Sequence, residues 1–173
     1  MTYLKGFIVA MSLFLIAMLG VGFLLPGDWE AERSVTVGAT PDAVWPWISD
    51  LRQWDAWAPL GEVEGIYPGE TRGVGAVREW DDPGWGYGSV EIREVDPGSR
   101  LVYDVVVEGG LETRGTLRVD QLSGSSGTRV TWSESGDFGW NPLLSWFALG
   151  MEPRQGAQLS QGLESLKQRV EQR

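Results

Sequence analysis

The sequence predicts an α+β protein in which a curved antiparallel sheet wraps around a long C-terminal helix, with one transmembrane helix in front. Three observations predict it: an apolar run at the N-terminus, a series of alternating segments separated by Gly and Pro turns, and a closing segment with helical spacing of apolar residues. In chain order, the folded part is expected to contain one strand, two short helices, a strand meander and the long helix.

The N-terminal apolar run extends from Gly6 to Leu25 without a charge. A helix of about 20 residues spans ~30 Å, the thickness of the hydrocarbon core of a bilayer. Tyr3 and Trp29 flank the run, where interfacial aromatic side chains commonly lie. We therefore expect a single-pass anchor over residues 1–27, in contact with the membrane through residues 6–25, and one folded domain over residues 28–173.

A cleaved signal peptide is the competing interpretation of this run. The apolar core of a signal peptide is usually ~7–15 residues long and ends in a small-x-small site. The run here is longer, and its best candidate site, Gly20-Val21-Gly22, matches poorly. Lys5 precedes the run and Arg33 is the nearest positive charge after it, which favours an N-terminus inside and an extracytoplasmic domain.

The first elements of the domain are expected to be a strand and two short helices. Residues 29–37 alternate between small or apolar and polar side chains, which predicts the strand. Thr40-Pro41-Asp42 supplies an N-cap, an N1 proline and a first-turn acid, so a helix should begin there. Pro46 has no backbone N–H to donate, and we expect it to end or kink this helix early. A second short helix is expected from Asp50.

Residues 63–135 read as strand and turn throughout. Turns are expected at Pro68-Gly69, Asp82-Pro83-Gly84, Pro97-Gly98, Gly109-Gly110 and Ser123–Gly127. Alternating runs predict strands over Arg100–Glu108, Thr113–Leu122 and Thr128–Glu134. Because short turns join successive strands, the expected arrangement is an antiparallel meander.

The C-terminal segment changes to a helical period. Asn141-Pro142 is a second N-cap and N1 pair, and we expect Pro153 to break or kink the helix that follows. After Pro153, apolar residues recur at helical spacing with polar residues between them: Leu159, Leu163, Leu166 and Val170. The apolar stripe of this helix must be covered, and the sheet is the partner that the sequence offers.

Composition excludes several classes of function. The chain has no cysteine and no histidine, so catalytic triads, thiolate nucleophiles and Cys- or His-ligated metal sites are impossible. The net charge of −10 repels nucleic-acid phosphates, so we expect no nucleic-acid partner. The sequence has no phosphate-binding loop or dinucleotide motif, and we expect no metal and no cofactor. Acid–base chemistry would fall mainly to Asp, Glu and Tyr.

Two segments resemble the SRPBCC superfamily, in particular its polyketide cyclase/dehydrase and START-like lipid-binding members. Residues 45–59, WPWISDLRQWDAWAP, are similar to the signature that follows the first strand of the family, which falls here on Trp45, Ile48, Asp50, Trp54, Trp57 and Pro59. Residues 127–152 resemble its last strand and the start of its closing helix. The resemblance runs from about residue 29 to the end. It implies a helix-grip fold with a ligand cavity between sheet and helix.

Large side chains on the inward strand faces and on the closing segment are the candidate cavity residues. They are Trp80, Trp85, Tyr87, Tyr103, Trp132, Trp140, Phe147 and Met151. Each taken singly is also compatible with ordinary core packing, whereas the abundance of tryptophan favours an enclosed flat, apolar ligand. The family pattern implies that Trp45, Trp47, Trp54 and Trp57 pack the short helices against the sheet.

Polar candidates have simpler alternative roles. Asp50 is expected to cap the second helix, and the Asp81-Asp82 pair to belong to a solvated turn. Glu152 can face solvent or the cavity. A cyclase would need acid–base groups such as Glu79, Arg93 or Tyr103, which nothing in the spacing singles out.

Three functions remain open from the sequence. The first is a non-catalytic, membrane-anchored binding protein for a hydrophobic small molecule such as a lipid, an isoprenoid or a polyketide-like aromatic. The second is an aromatic cyclase or dehydratase, which requires a buried carboxyl group with a raised pKa in the cavity. The third is an interaction module whose acidic surface binds a partner protein.

Overall fold

A computed structural model describes residues 2–124 and 126–172. The helices are α1 (Thr2–Gly22), α2 (Pro41–Ser49), α3 (Leu51–Trp54), α4 (Leu144–Ala148) and α5 (Met151–Glu171), with a 3-10 turn over Pro59–Glu62. The strands are β1 (Asp28–Val37), β2 (Val77–Asp82), β3 (Gly86–Asp96), β4 (Arg100–Val107), β5 (Leu111–Gln121) and β6 (Thr128–Asp137).

The six strands form one antiparallel sheet in the order β1-β6-β5-β4-β3-β2. Hairpins join β2 through β6 at the Gly- and Pro-containing turns that the sequence predicts. The turn predicted at Ser123–Gly127 includes Ser125, which lies outside the described residues, as do Met1 and Arg173 at the ends of the two predicted segments. The α+β architecture is confirmed.

The long helix α5 closes the domain against the sheet. Its apolar stripe is buried at each predicted position, Leu159, Leu163, Leu166 and Val170, and the helix packs mainly on β1 and β6. A bulge in β3 between Ile92 and Glu94 shifts the pairing with β4 by one residue, and bulges of this kind bend a sheet. The sheet therefore curves around the helix, as expected.

Neither of the two prolines predicted to end or kink a helix ends one. Pro46 lies within α2, which continues to Ser49, so it does not end that helix early. Pro46 removes one backbone hydrogen bond from the helix. The helix tolerates this loss because Trp47 and Ile48, the next two residues, are buried and hold the last turn against the domain. Pro153 lies in the first turn of α5, where a backbone N–H has no partner within the helix in any case.

The interruption in the closing segment lies earlier than Pro153, between α4 and α5. Gly150 separates the two helices, and its N–H donates to the carbonyl of Phe147 at 2.9 Å. The predicted cap at Asn141 is present in a modified form. Its side-chain oxygen accepts from the N–H groups of Leu143 and Leu144 at 3.0 and 3.4 Å, and the helix begins at Leu144.

The N-terminal helix α1 begins before the predicted apolar run and ends at Gly22, three residues before Leu25. Its segment Tyr3–Gly22 is long and apolar enough to cross a membrane, and the domain leaves it exposed except at its C-terminal end, where Gly22 is buried. A helix of this composition that is exposed over most of its length is a candidate membrane span.

Candidate ligand cavity

A cavity of about 170 Å³, partly open to solvent, lies between the sheet and α5. Strands β2, β4, β5 and β6, helix α3 and helix α5 all contribute to it. Its lining is mostly aromatic and aliphatic, with a few polar groups: Trp54, Ala58, Pro59, Leu60, Trp80, Trp85, Tyr103, Val105, Val107, Thr113, Trp132, Glu134, Gln155, Gln158 and Leu159.

Aromatic side chains form the rigid inner wall. The rings of Trp54 and Tyr103 meet edge to face with their centroids 4.9 Å apart, and those of Trp57 and Trp132 meet in the same way at 5.3 Å. The indole N–H of Trp54 donates to the carbonyl of Ile48 at 2.8 Å, which fixes its orientation. Edge-to-face pairs with satisfied N–H groups leave these rings little freedom to collapse into the cavity.

Glycines opposite the aromatic side chains make room for them. Gly88 pairs with Trp80 across β2 and β3, and Gly115 pairs with Tyr103 across β4 and β5. A Cβ atom at either glycine would overlap the aromatic ring on the neighbouring strand. The two rings therefore lie directly over glycine backbone. Since Trp80 and Tyr103 line the cavity, the two glycines determine the position of this part of the cavity wall.

A hydrogen-bonded polar group centred on Glu134 forms part of the cavity lining. The hydroxyl of Tyr103 donates to Glu134 Oε1, and the side-chain amide of Gln155 donates to Glu134 Oε2. The indole N–H of Trp132 donates to the Tyr103 oxygen at 2.7 Å. Two strands, β4 and β6, and one helix, α5, thus meet at one carboxyl group, which accepts a single hydrogen bond at each oxygen.

Burial dominates the electrostatics of this group. Glu134 is 6% exposed, and no ion pair to it is found among residues 2–124 and 126–172. Loss of hydration raises the pKa of Glu134 above its ordinary value, against the lowering effect of its hydrogen bonds from Tyr103 and Gln155. Burial, and then the neighbouring carboxylate, raises the pKa of Tyr103 well above its ordinary value. The pair thus favours its neutral forms.

The raised pKa of Glu134 predicts a specific pH dependence of stability. The folded state holds the proton more tightly than the unfolded state, so stability falls as pH rises from the ordinary carboxyl pKa of 4.5 through the raised value. Glu134→Gln should remove this decline and be the more stable protein at high pH, because glutamine places no ionisable group in the buried site. Urea unfolding of the full chain in detergent, from pH 4 to 9, measures the effect.

The matched control is Glu152→Gln, because Glu152 is 53% exposed and pairs with Arg33 at the surface. Its unfolding free energy should follow the pH profile of the unmodified chain. Identical pH profiles for the unmodified chain and Glu134→Gln would show that the buried carboxyl group does not titrate as described.

The structure brings together four of the eight residues predicted to line a cavity: Trp80, Trp85, Tyr103 and Trp132. The other four, Tyr87, Trp140, Phe147 and Met151, do not line it. Tyr87 is 50% exposed on β3, and Trp140 is 92% exposed. Trp140 and Phe147 lie on or beside α4, which contacts α1, α5 and β1.

The polar candidates named from the sequence, apart from Tyr103, have partners outside the cavity or do not line it. Asp50 caps α3 by accepting from the Arg52 N–H at 3.1 Å, as expected, and Asp82 accepts from two N–H groups of its own turn. Glu152 pairs with Arg33 at 2.8 Å and Arg93 pairs with Glu91 and Asp104, so both are engaged outside the cavity. Glu79 does not line the cavity, and of the acid–base candidates Tyr103 alone does.

Sequence reasoning missed Glu134 and Gln155. A signal for Glu134 was available, because the alternation of the strand predicted over Thr128–Glu134 places residue 134 on the same face as Trp132, a predicted cavity residue. Trp54 was assigned to packing and also lines the cavity. No cluster of three or more possible metal ligands occurs among the residues that the structure describes.

A buried arginine holds one border of the cavity. Arg78 is completely buried in β2, and its guanidinium donates to Asp55 at 2.9 Å and to the carbonyls of Leu60 and Val63 at 2.9 and 2.6 Å. These contacts fasten the 3-10 turn after Ala58, whose residue Leu60 lines the cavity. Arg78 therefore shapes the cavity from behind.

The family of the chain follows from its sequence and fold together. The family model described as polyketide cyclase / dehydrase and lipid transport matches residues 28–171. This match covers most of the chain, which belongs to that family and to the SRPBCC superfamily with its helix-grip fold. No curated protein matches the sequence.

Solved structures share the fold at low identity. A protein from Thermobifida fusca is 22% identical over 82% of this chain and 92% of its own, with a TM-score of 0.62. Norcoclaurine synthase from Thalictrum flavum, solved with dopamine and hydroxybenzaldehyde, is 15% identical over 88% and 91%, with a TM-score of 0.61. DynU16, a putative protein in the dynemicin biosynthetic locus, is 20% identical with a TM-score of 0.60. The alignment covers 82% of this chain but only 47% of DynU16, so this chain spans about half the length of that protein.

Proposed function

We propose that this chain is a membrane-anchored protein that binds a small apolar molecule carrying one polar group, in the cavity between the sheet and α5. The observation that carries the proposal is the cavity itself, whose lining combines aromatic and aliphatic side chains with a hydrogen-bonded carboxyl–phenol pair, Glu134 and Tyr103. Apolar walls with a small number of oriented polar groups are the usual composition of small-molecule sites.

The volume of the cavity restricts the part of the ligand that it encloses. A cavity of ~150 Å³ holds a benzene molecule, and drug-sized ligands need ~300–1,000 Å³. At about 170 Å³, this cavity accommodates one ring or a short branched chain. Trp85 lines the cavity and is 47% exposed, so the remainder of a longer lipid or polyketide would extend past it.

The Glu134–Tyr103 pair suits a ligand with a hydrogen-bond acceptor. When Glu134 is protonated, its O–H donates to the Tyr103 oxygen, which frees the Tyr103 hydroxyl hydrogen to turn towards a carbonyl or hydroxyl oxygen in the cavity. When Glu134 is ionised, the hydroxyl hydrogen is committed to the carboxylate. Binding of an acceptor should therefore be accompanied by proton uptake above the pKa of Glu134.

Residues 1–27 are proposed to anchor the binding domain, residues 28–173, in a membrane by a single pass. The length and apolar composition of Tyr3–Gly22, and its exposure over most of its length, support this proposal. The charge bias around α1 favours an extracytoplasmic domain. Such an anchor would hold the cavity near the bilayer, where apolar ligands concentrate.

A catalytic function is the second candidate, and Glu134 specifically favours it. An enzyme that moves protons in this fold needs a buried carboxyl group with a raised pKa, and Glu134 has both properties beside an ionisable phenol. Glu134→Gln separates the two functions, because a binding protein keeps its affinity for an apolar ring whereas an acid–base enzyme loses turnover.

The test is equilibrium binding by the full chain in detergent. Hydroxybenzaldehyde, an aromatic carbonyl found in a solved structure of the same fold, is the first probe, and toluene is the probe without an acceptor. We expect calorimetry to show saturable binding of the aldehyde, with proton uptake at pH above the Glu134 pKa and weaker binding of toluene. No binding of either probe, or of short-chain lipids, would contradict the proposal.

A further inference from the structure

Residues 138–151, the α4 segment, form an apolar surface that the domain leaves uncovered. They are the longest uncharged stretch of the chain after residues 6–27, between Asp137 and Glu152. Exposed large apolar side chains are concentrated here: Trp140 is 92% exposed, Phe147 56%, Leu149 54% and Leu143 52%. A concentration of this kind indicates an interaction surface, because scattered single apolar residues are the norm elsewhere on soluble domains.

The α4 segment lies against the end of α1. The indole N–H of Trp146 donates to the carbonyl of Met18 at 3.2 Å, and Gly22 approaches Pro142 so closely that a Cβ atom at residue 22 would overlap it. Met18 lies four residues before the end of α1, a helical rise of ~6 Å. If α1 crosses a bilayer, the α4 segment lies at the depth where amphipathic segments enter the headgroup region, about 5–10 Å.

We infer that the α4 segment inserts into the same leaflet of the phospholipid bilayer from which α1 emerges, as a second, interfacial membrane contact. The inference rests on the proposed anchoring by α1. Because residues 138–151 carry no charged side chain, burial of apolar surface is the driving force for insertion. Insertion therefore requires no anionic lipid. Tryptophans at 140 and 146 suit this depth, because the indole ring has an apolar body and one polar N–H.

The consequence for the cavity is its position. Gln155 of the polar group lies four residues into α5, ~6 Å along the helix from Met151 at the end of the α4 segment. Two membrane contacts instead of one would also fix the orientation of the domain, which a single helix followed by a short connection does not. Gln155, and with it the part of the cavity that it lines, would then be held close to the bilayer surface.

Site-directed spin labelling tests the inference, and the absence of cysteine makes single-cysteine variants of the full chain straightforward. Labels at Phe147→Cys and Trp140→Cys report on the α4 segment, and Leu13→Cys reports on α1. Val74→Cys is the control, since Val74 is 69% exposed and precedes β2, at the sheet edge opposite β1. Each variant is placed in phosphatidylcholine nanodiscs at less than one copy per disc, and circular dichroism checks that it is folded.

The measured quantity is the depth parameter, the logarithm of the ratio of label accessibility to oxygen and to a water-soluble nickel complex. We expect positive values at residues 13, 140 and 147 and a negative value at residue 74. A positive value at residue 13 with negative values at 140 and 147 overturns the inference and keeps the anchor. A negative value at residue 13 overturns the anchoring on which it rests. A second sample, with several copies per disc, distinguishes a protein partner from lipid. Spin–spin broadening of the label at residue 147 in that sample, together with a negative depth parameter at residue 147 in the dilute sample, would overturn the inference and assign the surface to a second copy of the chain.

Discussion

Replacing Val105 by phenylalanine should weaken ligand binding by about tenfold or more, a loss of at least ~1.4 kcal/mol, while changing stability little. Val105 on β4 lines the cavity, whose total volume is about 170 Å³. A larger side chain at this position takes up part of the space that the ligand would otherwise fill. Overpacking of a dense core typically costs ~1–3 kcal/mol, but here the added atoms enter an existing cavity. Calorimetric titration with hydroxybenzaldehyde and urea unfolding measure the two effects.

Val106→Phe is the matched control for this prediction. Val106 is the next residue on β4, so its side chain points to the opposite face of the sheet and does not line the cavity. This variant should bind with unchanged affinity. Equal losses of affinity in both variants would mean that the ligand is held elsewhere or that β4 is generally disturbed.

Removal of the buried guanidinium has the largest expected effect on stability. Arg78→Ala should lower the free energy of unfolding by about 3–5 kcal/mol, because it leaves the carbonyls of Leu60 and Val63 without their donors and breaks the pair with Asp55. Ligand affinity should fall as well, since Leu60 lines the cavity and loses its attachment to β2. Urea unfolding and the same titration measure both.

Arg93→Ala provides the comparison, because Arg93 is also a strand arginine with two carboxylate partners, Glu91 and Asp104. Its side chain is 43% exposed, and exposed ion pairs contribute about 0–1 kcal/mol. The account of the buried arginine fails if the two alanine variants unfold at the same urea concentration.

Local patterns were sufficient to predict most of the fold. The Gly and Pro turns between β2 and β6 and the stripe of Leu159, Leu163, Leu166 and Val170 depend on neighbouring residues along the chain, which the sequence displays directly. Neither Pro46 nor Pro153 ends a helix, although ending was one of the two outcomes predicted for each. The cost of a proline in a helix depends on which hydrogen bonds remain, and that requires the exact start of the helix.

The polar group in the cavity was harder to predict for a different reason, since strand alternation could place Glu134 on the inward face but could not identify its partners. Glu134 is bonded to Tyr103 and Gln155, which lie 31 and 21 residues away in the chain, so no local period connects the three. Trp140 and Phe147 were assigned to the cavity because an apolar residue is normally expected to face the core. Their exposure beside α1 depends on the packing of α4 against another helix, which periodicity alone does not reveal.

The occupancy of the cavity is tested most directly by methyl-resolved NMR of the full chain in detergent with bound hydroxybenzaldehyde. The account predicts intermolecular NOEs from the ligand ring to the methyl groups of Val105, Val107 and Leu159, which line the cavity, and none to Leu166, which is buried beyond it. NOEs confined to surface methyl groups such as those of Leu143 and Leu149, or none to any methyl group at saturating ligand, would contradict it.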